Sequence, residues 1–516
     1  MRYNKIGEAT SHIYFLLLSK LFDHPINDDE EDGQDSQHRP STISSMVLEE
    51  IKQLYNIALP MILTGLMVYA KSAISMFFLG KSGKGELAGG SLAISVANIS
   101  GYSVIAGLAS GMEGISSQAF GAQQWPLMSH ILQRTITILI LTSIPISILW
   151  FHCEPLLIFS GQNPTISSTA TTYLTFSIPT LFFQSIINPL RIHLRTQSIT
   201  FPLMLSAAVA LVIHTPASYM LAWHFGLGIQ GVALAETLTD MSCLITLILY
   251  LCVSNISTNT WQWWSIRCCF NGWSQIIRQA VPSCVSVCLE WWWYEIMIIL
   301  SGLLSNAAEA MSTMGIIIQA TALVYQFPYA LSQAVSTRVG NEIGANYPKQ
   351  AKQSSFIALY FSILTGLIIS TFLLTMHNVW GEIFTADRAV ISLTASVLPV
   401  VGLCELGNCP QTTVCGVLKG SARPMLGVII NFGAFYVVGL PMAFLMAFVM
   451  HLGLLGLWLG LLAAQMVCFV AMVIVLIRTD WVALVERSRE LTSAGVEEIL
   501  ANEFYEDLVY AIMLVN

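Results

Sequence analysis

Apolar residues run in long blocks through this chain, and short polar stretches interrupt them. A window of about 19 residues, the length that crosses a bilayer as helix, predicts twelve spans. They centre near residues 66, 100, 142, 178, 211, 241, 289, 322, 364, 402, 436 and 465. The blocks are too long and too evenly apolar for barrel strands, so the expected fold class is an all-α membrane protein of twelve transmembrane helices. Composition agrees: 55% of residues are hydrophobic and 10% charged, against roughly 25% charged in soluble domains.

Charge orients the spans. With the N-terminus inside, eighteen of the 22 Lys and Arg fall on inner segments. Lys81, Lys84 and Arg388 fall outside, and Lys71 lies within the first span, where it must snorkel or pair with an acid. The positive-inside rule therefore places both termini in the cytosol. The net charge of -8 collects in the tails, as in "DDEEDGQD" (28–35) and "GVEEILANEFYED" (495–507). Scattered basic residues give no nucleic-acid footprint. Eleven cysteines show no CxxC pair and sit mostly in apolar runs, where Cys acts as a small hydrophobe, so no metal site or cofactor is expected.

The chain also repeats itself. "ALP" (58–60) matches "AVP" (280–282), "FGAQQ" (120–124) matches "IGANY" (343–347), "ITFPLM" (199–204) matches "SARPML" (421–426), and "LGIQGVAL" (227–234) matches "LGLLGLWL" (452–459). Four matches in order, at nearly one offset, point to a duplicated six-helix unit. Six helices per unit give two parallel repeats, an arrangement of rocking transporters with a site between the halves. The expected organisation is a disordered tail (1–45), an N-lobe (48–254), a cytoplasmic linker (255–275), a C-lobe (276–478) and a cytoplasmic C-terminal tail (479–516).

Against this background, acids inside spans stand out. In "CLEWWWYEIM" (288–297), Glu290 lies 12 residues beyond Arg278, about 18 Å along the helix and past the middle of a core of roughly 30 Å. Glu405, in "GLCELGNCPQTT" (402–413), is 14 residues from Lys419, about 21 Å. A carboxylate at that depth costs roughly 2.5–3.5 kcal/mol, and burial disfavours the charged form of any carboxyl group. The equivalent N-lobe positions are Val68 and Phe183, so packing shared by both repeats does not explain these acids. Both are expected to exchange protons. Trp293 and Tyr294 share a face with Glu290 and are candidates to line an organic-cation pocket. Glu295, Gln319 and Asn408 are further cavity candidates. Pro410 can open the backbone near Glu405. Glu236 and Asp240 are read as shallow and solvated, and Glu113, Arg338 and Glu342 as ties between loops. No nucleophile–base spacing suggests an enzyme.

These residues resemble the multidrug and toxic compound extrusion (MATE) family, most specifically in "GLASGMEGISSQAFGAQQ" (107–124), "VPSCVSVCLEWWWYEIMIILSG" (281–302), "STRVGNEIGANYPKQA" (336–351) and "NCPQTTVCGVLKGSARP" (408–424). Together these motifs look like the plant DETOXIFICATION branch. The resemblance implies two lobes around a V-shaped central cavity and export of small organic solutes or xenobiotics against inward H+, with Na+ coupling disfavoured. It matches Glu290 to the family's acid in the seventh helix. It also matches Glu405 to an acid in the tenth, where Asp is usual. Gly114 and Ser116 stand where Pro and Cys are expected. The reading is thus a monomeric H+-coupled antiporter in the plasma, vacuolar or endosomal membrane, with membrane lipid around it. A lipid-linked-substrate flippase and a non-transporting membrane regulator are the alternatives.

Overall fold

Proline marks where several helices begin. In the computed structural model, which describes residues 43–254 and 272–496, Pro126, Pro164, Pro202, Pro348 and Pro424 all occupy the first or second helical position. There the missing N–H costs nothing. Caps add to this: the Asn163 side chain accepts from the Thr165 N–H and Asp387 from the Ala389 N–H, both at 2.9 Å.

Twelve long helical segments result among the described residues. They are α1 (Val47–Ser82), α2 (Gly85–Gly121), α3 (Trp125–Phe151), α4 (Pro164–Thr196), α5 (Phe201–His224) and α6 (Gly228–Val253), then α7 (Trp273–Ser301), α8 (Ala307–Gly344), α9 (Pro348–Phe384), α10 (Arg388–Gly420), α11 (Pro424–Val449) and α12 (Gly453–Ile477). Eleven are long and apolar enough to cross a membrane. The twelfth, α4, is 33 residues long, but Ser and Thr crowd its first half. A further helix, α13, spans 481–496. The expected tail falls outside the described residues over 1–42, the linker over 255–271 and the C-terminal tail over 497–516. Pro410 does not break α10, which runs on through Pro399 and Pro410. Membrane helices tolerate such prolines when neighbours pack around the freed carbonyl.

Backbone geometry carries the duplication. Left-handed turn residues recur in pairs: Gln123 with Asn346, Ser198 with Ala422, Gly226 with His451, and Gly228 with Gly453. The pairing of Ser198 with Ala422 shifts the "ITFPLM"/"SARPML" match by two positions, so the register drifts slightly along the repeat. The tight turns repeat as well: Gln124 N–H bonds Ala119 O, and Tyr347 N–H bonds Glu342 O, each at 2.8 Å.

The buried apolar residues form two clusters. One draws on α7–α12, with Leu54, Ile57 and Ala58 of α1 and Trp481, Leu484 and Val485 of α13. The other draws on α1–α6, with Ala330 of α8. Two antiparallel seams join these halves. Along α2 and α7, Gly107 lies on Cys284 and Gly111 on Ala280. Farther along, Cys288 Sγ donates to Ser103 Oγ at 3.7 Å and Trp292 Nε1 to Ile99 O at 3.3 Å. A methyl group on Gly107 would sit 2.6 Å from the Cys284 Cα, so small residues here set the helix separation. Along α1 and α8, Gly65 lies on Gln326 and Tyr69 Oη donates to Gln319 O at 3.3 Å. At the end of the molecule rich in Lys and Arg, the basic end, Gly121 lies on Asn341 O and Gly344 on Gln118 O. The two repeats thus touch through equivalent residues.

Candidate functional site

In the C half, α7, α10, α11 and α12 each bring a polar residue into the bundle. Glu290 of α7 accepts from Asn431 Nδ2 of α11 at 3.0 Å. Asn431 also approaches Ser286 Oγ at 3.4 Å, and its Oδ1 accepts from Cys468 Sγ of α12 at 3.3 Å. Glu405 of α10 is 2% exposed. It accepts from Asn408 Nδ2 at 3.0 Å and from Cys409 Sγ at 3.6 Å. Both donors lie one turn along the same helix, where i+3 and i+4 side chains meet.

The two acids do not bond each other. Tyr294 lies within electrostatic reach of both. Tyr325 of α8 reaches Glu290 and Tyr294 and stacks on Tyr329 at 5.6 Å between ring centroids. Neither carboxylate forms an ion pair with a described residue.

The other candidates divide. Asn408 holds Glu405. Trp293 is 1% exposed and belongs to the apolar core, its ring 5.6 Å from Phe435 and 6.1 Å from Tyr436; packing, not a cavity wall, is its place. Glu295 turns away from Glu290 and faces Ser95 of α2. The Gln319 carbonyl serves the α1–α8 seam. Asn431 is not among the residues that the sequence singles out. Its signal is a lone amide in the apolar run "GVIINFGAFYVV", and an unexplained polar group in a span invites a partner search.

The N half corrects one expectation. Glu236 and Asp240 of α6 are not solvated. Asp240 is 4% exposed. Lys71 of α1 pairs with Asp240 Oδ1 at 3.0 Å and with Glu236 Oε1 at 3.4 Å. Tyr173 Oη donates to Glu236 Oε2 at 2.9 Å and Gln184 Nε2 to Asp240 Oδ2 at 2.6 Å. All four carboxylate oxygens are therefore used, which is what a buried pair needs. Lys71 pairs rather than snorkels. Helices α1, α4 and α6 supply this cluster, and their equivalents α7, α10 and α12, joined by α11, supply the C-half cluster. The duplicated fold uses equivalent helices with different side chains at different positions.

Ion pairs at the basic end behave as ties. Glu113 of α2 pairs with Arg195 of α4 at 2.7 Å, with both side chains 5% exposed. Arg338 of α8 holds Glu50 through two bonds, at 3.0 and 2.8 Å, and also meets Glu342.

Comparison with known proteins agrees with this architecture. The MatE family model matches the chain twice, over residues 60–220 and 282–445. Protein DETOXIFICATION 49 of Arabidopsis thaliana is 49% identical over 465 residues, covering 90% of this chain and 92% of that protein. Protein DETOXIFICATION 48 of the same plant is 49% identical over 462 residues, covering 90% and 86%. The crystal structure of the eukaryotic MATE transporter AtDTX14 superposes with a TM-score of 0.83 at 31% identity, covering 87% of this chain and all of that one. A MATE crystallised in the straight conformation shares the fold at 16% identity and a TM-score of 0.74, covering 89% and 100%.

Proposed function

The chain belongs to the MATE family of membrane transporters, and we propose that it is a proton-coupled antiporter that exports small organic solutes from the cytosol by alternating access. Two lobes, α1–α6 and α7–α12, rock about the seams between them. The basic end faces the cytosol, as the positive-inside rule favours.

One observation carries this reading. Glu290 and Glu405 are each held by a neutral amide and by no directly bonded cation. A buried carboxylate meets its desolvation cost by gaining a proton or a counter-ion. A proton taken from the far side, and a cationic or amphiphilic solute taken from the cytosol, can therefore alternate on the same groups. Tyr294, within electrostatic reach of both acids, shapes the pocket. Trp293 supports α7 from behind.

The test is pH-driven solute flux in reconstituted vesicles at equal protein level. E290Q and E405Q should each slow flux at least tenfold; wild-type flux in both would refute the assignment.

A further inference from the structure

A cationic turn joins α10 to α11 at the basic end, and Arg423 sits half-buried in it. Its Nε donates to Ser421 Oγ at 3.3 Å. Its Nη2 donates at 3.2 Å to Thr479 Oγ1, in the turn between α12 and α13. Both hydroxyls are themselves fixed, Ser421 donating to Leu418 O at 3.2 Å and Thr479 to Val475 O at 2.7 Å. From α13, Arg487 reaches the same turn, its Nη2 donating to Ala422 O at 3.5 Å. Two guanidinium groups thus converge on residues 421–423.

Among the described residues no acid forms an ion pair with Arg423 or Arg487. Asp480, next to Thr479, accepts from the Val482 and Ala483 N–H groups at 3.0 and 3.1 Å and so caps α13. Glu486 and Glu490 lie exposed on α13. Like charges held together cost free energy, and most N–H donors of each guanidinium remain unspent. The equivalent N-half turn, 198–201, carries no basic residue, so the fold itself does not require this pair. Beside the turn, Met425 and Ile429 of α11 and Ile477 of α12 are exposed. The turn therefore lies where apolar, lipid-facing surface gives way to the basic end. Helix α11 also begins here, and a helix N-terminus favours an anion.

We propose that Arg423 and Arg487 form a binding site for a dianionic phosphate group, with Ser421 and Thr479 holding the Arg423 guanidinium in place. A planar guanidinium pairs bidentately with phosphate, and two of them match two negative charges. Phosphoinositide headgroups carry such a group at the cytosolic membrane surface, and soluble phosphate esters carry it in the cytosol. The exposed Met425, Ile429 and Ile477 favour the lipid, whose acyl chains can lie along them. A bound phosphate relieves the repulsion between the two arginines and ties α13 to the α10–α11 turn. The site is separate from Glu290 and Glu405 and does not depend on proton coupling.

The experiment measures Tm, and bound lipid by native mass spectrometry, for the full chain in nanodiscs. The discs hold phosphatidylcholine alone, or with phosphatidylinositol 4-phosphate, or with phosphatidylserine at equal total charge. Phosphatidylinositol 4-phosphate should raise Tm by several degrees and bind at one equivalent; phosphatidylserine should do neither. R423Q and R487Q should each weaken that binding several-fold while still unfolding cooperatively in phosphatidylcholine. R489Q, on another face of α13, should bind as the wild type does. Glycerol 3-phosphate added to phosphatidylcholine discs reads the soluble source. A rise in Tm there that needs both Arg423 and Arg487 would keep the site and assign it to soluble phosphate esters. An equal response to phosphatidylserine, or an equal loss in R489Q, would mean diffuse charge attraction and overturn the site. Binding undiminished in R423Q and R487Q would overturn it too.

Discussion

Ser117 of α2 faces Gly340 of α8, its equivalent in the second repeat. A methyl group added at Gly340 would come 2.5 Å from the Ser117 Cβ and overlap its hydroxyl. The local two-fold axis relating the halves passes between these residues. Gly121 on Asn341 O and Gly344 on Gln118 O flank it symmetrically.

That contact is too tight for any larger side chain. Gly340→Val should wedge the basic ends apart. Transport should fall more than tenfold while the protein still inserts and folds, because the strain is confined to the closed state. Initial rates at matched abundance check this; the same substitution at Gly433, which has open space around it, should have little effect.

Lys71→Met should be destabilising rather than mildly altering. It leaves Glu236 and Asp240 buried without their cation, and breaking such a pair costs about 3–5 kcal/mol. A lowered Tm in detergent should be seen. Removing both acids as well, in K71M/E236Q/D240N, should recover most of the loss.

Asn431→Leu removes the donor to Glu290 and keeps the volume of the site. Flux should drop about tenfold and Tm should fall modestly, since the substitution leaves the buried Glu290 without its amide donor, a loss of about 1–3 kcal/mol. Solute flux and thermal unfolding measured on one preparation separate the two effects.

Arg423, in the turn between α10 and α11, is brought down to about 10 by burial and then by the neighbouring Arg487 of α13. Arg487→Glu replaces repulsion with attraction. A gain below about 1 kcal/mol is expected, because Arg487 is exposed and solvent screens it. A small rise in Tm that high salt abolishes would show it.

Much of this is legible in the sequence because membrane helices advertise themselves by length and repeats by order. The helices and the duplicated unit need only local pattern. The Lys71 cluster is not legible. Lys71 and Asp240 lie 169 residues apart, and nothing in "AETLTD" says that an ammonium group reaches it. Asn431 escapes for the same reason, since its partner is 141 residues away. Trp293 belongs to the core rather than to a pocket because a helical face shows which residues travel together, not whether that face meets a cavity or another helix.

Movement of solute against protons through Glu290 has a direct test. The direct measurement follows proton movement across vesicles holding a pH gradient as candidate organic solutes are added to the purified protein. A solute-dependent proton flux that E290Q abolishes is expected. Proton flux undiminished in E290Q would contradict it.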